Sequence, residues 1–130
     1  HKHDAIRLAD GRVLVIGGAD RAGHVHYRST EIYSPDVGRF ERGPEMSNGR
    51  YKIAGTSILL PDGDVLVSSG APVAEILDLE RGRFREVRGG FPAAFRFAAA
   101  APLRDGDVVI AGGYTDGNEN TAGVWRLGPQ

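Results

Sequence analysis

The sequence contains no cysteine. That excludes a disulfide framework, a thiolate metal site and a cysteine nucleophile, and it leaves the compartment unassigned. A basic excess is missing too. Lys and Arg number 16 against 17 Asp and Glu, so no charge surplus marks a surface for nucleic acid or an anionic membrane. No apolar run approaches the roughly 18–20 residues of a membrane span, and the opening HKHDAIRLADGR has no apolar stretch of the signal-peptide kind. Helical periodicity is absent beyond about two turns. The Gly-x-Ser-x-Gly elbow, the phosphate loop and the His-Glu-x-x-His zinc motif are likewise missing.

What the chain has is glycine, 19 in 130 residues, with 7 prolines. Both are poor in helix interiors, and the length suits one domain with a real core. One phrase recurs three times: LADGRVLVIGG from Leu8, LPDGDVLVSSG from Leu60 and LRDGDVVIAGG from Leu103. Asp-Gly between two apolar runs is a hairpin signal, because glycine accepts the positive φ of the turn. The run after each turn is almost continuously apolar, which predicts a strand covered on both faces. The glycines that end it predict close approach by another backbone. FPAAFRFAAAAPL, from Phe91, is rich in alanine, but its prolines and its place in the repeat predict a buried strand rather than a helix.

The copies continue past the glycines. STEIYSPDVGRFERG, from Ser29, matches VAEILDLERGRFREVRG, from Val73, with Glu-Ile on a third strand and Arg-Phe opening a fourth. TAGVWRLGPQ supplies a third strand to the last copy, with Trp125 in the place of Tyr33 and Leu77. The unit is therefore four strands, a to d, repeated at about 43 to 52 residues with its length variation in the b–c connection. The expected boundaries are about 3–43, 51–89 and 94–127, the last lacking its fourth strand, giving eleven strands. Four-stranded repeats of this period are typical of β-propeller blades.

The repeat resembles the kelch family, carried by Gly17-Gly18, Tyr33 and Phe40, and again by Gly112-Gly113 and Trp125. The second copy departs, with Ser69-Gly70 and Leu77, and Phe40 and Phe84 stand where the family usually has Trp. The resemblance implies an all-β fold of kelch-type propeller blades, each a four-stranded antiparallel meander, forming an incomplete ring in one chain.

In such a meander the b–c and d–a connections share one rim, and here that rim holds nearly all the versatile side chains. The candidates for binding are Arg50, Tyr51, Lys52, Arg96 and Tyr114, with His24 and His26. Arg50 and Arg96 have two readings: pairing with a neighbouring carboxylate, or forking onto an acidic ligand. His24 and His26 alternate on one segment and would bind a metal only with a third ligand from elsewhere, so they read as two solvated loop histidines. Asp116-Gly-Asn-Glu-Asn120 opens like a calcium loop but has Thr121 where that loop needs glycine, and it reads as a polar turn. The arginines from Arg81 to Arg88 read as charges guarding an edge strand.

The expectation is a non-enzymatic binding module recognising a protein or glycan through this rim, with no metal, no cofactor, no nucleic acid and no membrane. The alternative is part of a carbohydrate-active or oxidase-like kelch enzyme, although the Tyr–Cys cofactor of such oxidases needs a cysteine. Three blades leave two apolar faces uncovered. Either a dimer completes a six-bladed ring, or the remaining blades lie on another chain.

Overall fold

Each Leu-x-Asp-Gly segment folds in the same way. The amide of Gly11 donates to the Leu8 carbonyl at 3.0 Å, Gly63 to Leu60 at 2.9 Å and Gly106 to Leu103 at 3.1 Å. The leucine amides donate onward to the carbonyls of Arg12, Asp64 and Asp107. The glycines take φ of +88°, +94° and +89°, conformations a Cβ would oppose. Each aspartate caps its own turn, Asp10 Oδ1 accepting from the Arg12 amide at 3.0 Å. These are three-residue hairpin loops, one residue longer than the shortest Asp-Gly turn.

The computed structural model describes residues 1–128. In it the strands flanking these turns, and those that follow, make three antiparallel sheets with no helix among the described residues. Sheet 1 contains β1 (Asp4–Arg7), β2 (Val13–Ile16), β3 (Thr30–Ser34) and β4 (Arg39–Arg42), in chain order. Sheet 2 repeats it with β5 (Ser57–Leu59), β6 (Val65–Val67), β7 (Glu75–Asp78) and β8 (Arg83–Glu86). Sheet 3 has β9 (Ala99–Pro102), β10 (Val108–Ala111) and β11 (Val124–Leu127). The register is also repeated: Val13 pairs with Tyr33 and Tyr33 with Phe40, as Val65 pairs with Leu77 and Leu77 with Phe84.

The sheets stack face to face. Leu14 and Ile16 from sheet 1 meet Val65, Val67 and Leu77 from sheet 2 in one core. Ile58, Leu66 and Ile76, from the other side of sheet 2, meet Val108 and Ile110 in a second. Alternate residues of β6 therefore enter different cores, and all three are fully buried. Each such side chain contributes about 1.5–3 kcal/mol. Among the described residues only sheet 2 is covered on both sides. Val13 and Val15 of β2, and Val109 of β10, stay partly exposed on the outer faces. The same geometry corrects the reading of β9: the strand is present, but Ala99 and Ala101 are exposed, because they face away from sheet 2.

Neighbouring sheets come closest at their first strands, β1 to β5 to β9, and among the described residues no strand of sheet 3 reaches sheet 1. The clamp between sheets 1 and 2 is Asp4. Its buried carboxylate accepts from the amides of Gly55, Thr56 and Ser57 at 2.9, 3.2 and 2.8 Å. The chain leaving each sheet crosses the end of its second strand, where Gly18 donates to the Arg50 carbonyl at 2.7 Å and Gly70 to the Phe95 carbonyl at 2.9 Å. A Cβ on Gly113 would stand 2.7 Å from the Arg96 carbonyl oxygen, so the close approach of another backbone expected at the strand-end glycines is present there.

Candidate functional site

The antiparallel order places the b–c and d–a connections together at one end of the stack. Two straps run through that end, one joining sheet 1 to sheet 2 and one joining sheet 2 to sheet 3. They are tied in series by backbone bonds: the Lys52 amide donates to the Lys2 carbonyl at 2.9 Å, and the Phe97 amide to the Lys52 carbonyl at 2.8 Å. Lys2, Lys52 and Phe97 all have left-handed backbones, with φ of 59°, 57° and 51°. They occupy one repeated position.

Around this ladder the side chains form an aromatic and cationic cluster. The His26 ring stacks on Tyr51 with centroids 3.9 Å apart, and the Arg96 guanidinium lies 4.4 Å from the Tyr51 centroid. Lys52 Nζ sits 5.3 Å from the Tyr51 ring, 5.7 Å from Phe97 and 5.2 Å from Tyr114, and it donates to the Tyr114 hydroxyl at 3.2 Å. Cation–ring contacts of this kind contribute about 0.5–2 kcal/mol each. The backbones of Arg96 and Tyr114 exchange two hydrogen bonds, at 2.9 and 3.0 Å. Phe97 is 52% exposed, so half of its ring faces water.

Five of the seven residues singled out from sequence thus share one cluster: Tyr51, Lys52, Arg96, Tyr114 and His26. Arg50 does not. Its guanidinium is fully buried, donating to the carbonyls of Ser69 and Val73 at 2.7 and 2.5 Å and pairing with Glu75 at 2.8 Å. Of its two readings, the structural one holds. Burial drives the Glu75 carboxyl upward, but the bond from Arg50 and those from the Ser47 and Asn48 amides outweigh it and leave it below its ordinary value. Desolvation lowers Arg50 itself. His24 is exposed, held at its backbone by Asp20, which accepts from the His24 and Val25 amides at 2.8 and 3.0 Å.

His26 is taken up by its stack and a 3.1 Å contact with the Gly23 carbonyl. Among the described residues no group of three or more His, Cys, Asp or Glu is arranged to hold a metal ion. Asp116 forms an ion pair with Arg96, and the turn around it is closed by Asn118 and Glu119 bonding to Thr115. Phe97 was missed from sequence. The signal was spacing: Lys2 and Phe97 each precede their hairpin leucine by six residues, Lys52 by eight. Sequence comparison adds no assignment, since no family model matches the chain and no curated protein is significantly similar to it.

Proposed function

We propose that the chain is a run of kelch-type propeller blades serving as a non-enzymatic binding module, with a protein or glycan held at the strap rim. The observation that carries this is the cluster itself. Side chains from both straps and from the b–c loops of two sheets converge there, with an exposed ring beside two cations. Rigid strands behind loops of this kind are a common way to hold a recognition surface. The test is capture on a glycan array and from a lysate, comparing the parent with Phe97→Ala. Loss of a specific ligand supports the reading, and unchanged capture by a folded variant refutes it.

The ring reading rests on the stacking order. Sheet 1 offers its Leu14 face to the Val65 face of sheet 2, and sheet 2 offers its Leu66 face to the equivalent Val108 face of sheet 3. The relation is head to tail, so the two outer faces are of opposite kinds. One carries Val13, Tyr33 and an exposed Phe40, and the other carries Ala101, Val109 and an exposed Val124. A second copy turned by half a revolution covers both at once and completes six blades. Light scattering should give twice the chain mass at micromolar concentration. A stable single-chain mass overturns the dimer.

A further inference from the structure

We infer that the row formed by Lys2, Lys52 and Phe97 is a subsite for an acidic oligosaccharide, a chain of uronic acid units, with a sugar face on Phe97 and carboxylates on the two lysines. The inference rests on the binding reading above and names its ligand.

Four observations carry it. The three residues are at one repeated position and are linked by backbone hydrogen bonds, so successive side chains start about 4.8 Å apart, as on neighbouring strands. A row of that kind meets a ligand with charge at regular intervals better than it meets a single compact anion. Second, the Phe97 ring lies 5.8 Å from the Tyr114 ring and 5.7 Å from Lys52 Nζ, and 52% of the residue still faces water. The other two copies carry lysine, and a half-exposed phenylalanine gains little from burial. What an exposed ring beside hydrogen-bond donors offers is a flat apolar face with polar edges, which is how a sugar is built.

Third, the row itself carries two lysines, Lys2 and Lys52, while Arg96 beside it is paired with Asp116. Fourth, Arg96 is only 4% exposed, its guanidinium lies 4.4 Å from the Tyr51 centroid and its Nε has no hydrogen-bond partner, so a buried donor beside that ring is left unsatisfied. An ammonium on a flexible stem suits carboxylates whose positions shift from unit to unit.

The experiment is titration calorimetry of the intact protein with a short oligomer of galacturonic acid, with the neutral galactose oligomer of equal length, and with a Glu-rich peptide. The expected result is binding of the acidic sugar alone, weakened in high salt. Phe97→Ala and Lys52→Gln should each reduce affinity about tenfold, the order expected for one stacked ring or one charge-assisted bond. Lys2→Gln, at an exposed position, should reduce it several-fold, and it serves should Lys52→Gln fail to fold. Equal binding of the neutral sugar, or tighter binding of the peptide, both lost in Phe97→Ala, overturns the acidic-sugar assignment while leaving the rim a binding surface. No binding of the acidic sugar by folded parent protein, or binding indifferent to all three substitutions, overturns it outright.

Discussion

Replacing Glu75 by glutamine keeps the side chain's shape and removes its charge. In the parent the carboxylate receives Arg50 Nη2 at 2.8 Å, the Ser47 amide at 2.6 Å and the Asn48 amide at 3.3 Å, and both partners of the ion pair are fully buried. Glutamine has one acceptor oxygen for these three donors, and its NH2 group meets at least one of them donor to donor. The Arg50 guanidinium keeps two carbonyls but loses its counter-charge. An uncompensated buried ion of this kind costs about 3–5 kcal/mol, a large part of the about 5–15 kcal/mol that holds a domain folded. The assay is urea unfolding followed by the single tryptophan, Trp125, whose ring stacks on Phe95 at 5.1 Å in the core beyond sheet 2.

The pH dependence supplies a second check. Glu75 has a lowered folded pKa, so its contribution is present above the unfolded value and is lost as pH falls through the folded one. The gap between parent and Glu75→Gln should therefore be full at neutral pH and shrink in acid. Arg50→Met combined with Glu75→Gln should cost less than the sum of the two single changes, because the second removes a charge already stranded by the first. A Glu75→Gln protein within about 1 kcal/mol of the parent at neutral pH, or a gap that acid leaves unchanged, refutes the argument.

Gly70→Ala should destabilise by at least about 1–2 kcal/mol, since φ is +85° and the new Cβ meets Ile53 and Arg50; urea midpoints measure it. Asp64 is raised by burial and by the charges of Asp62 and Asp78, so its stabilising contribution is full below the unfolded value and lost as pH rises through the folded one. Asp64→Asn, which can still accept from the Leu79 amide, should raise the unfolding midpoint at neutral pH and have no effect in acid. Phe40→Asp, on the outer face of sheet 1, should reduce the mass seen by light scattering to one chain, while the lost ring pair with Tyr33 costs that chain no more than about 1 kcal/mol of stability in urea unfolding.

The strands were legible because each is fixed by local signals. Asp-Gly turns set three hairpins, Glu-Ile followed by Arg-Phe set the next pairs in two copies, and the Trp125 segment set the last strand, so the eleven strands among the described residues fall where the repeat puts them. Which face of each strand is buried was less legible. RVLVI, DVLVS and DVVIA read alike, yet only Val65–Val67 is enclosed on both sides, because enclosure depends on a strand's place in the stack and not on its own residues. Alanine in β9 misled for the same reason: small residues fit a crowded strand, but here they face outward.

The site divides along similar lines. Loop position alone brought Tyr51, Lys52, Arg96, Tyr114 and His26 into view, since the b–c and d–a connections must share a rim in any meander. The partner of each charge was hidden, because it lies far along the chain. Arg50 meets Glu75 and Asp4 meets the amides of residues 55–57, pairings that exist only once the sheets have stacked. Phe97 was hidden by two extra residues between Lys52 and its hairpin, an offset that includes Gly55, whose amide Asp4 holds. The longer stretch between Lys52 and its hairpin contains the residues that Asp4 holds, next to the bonds from Lys52 to Lys2 and Phe97. The contact that joins the sheets thus lies three residues from Lys52 along the strap, so Asp4→Ala should lower the unfolding midpoint and weaken ligand binding at the rim together.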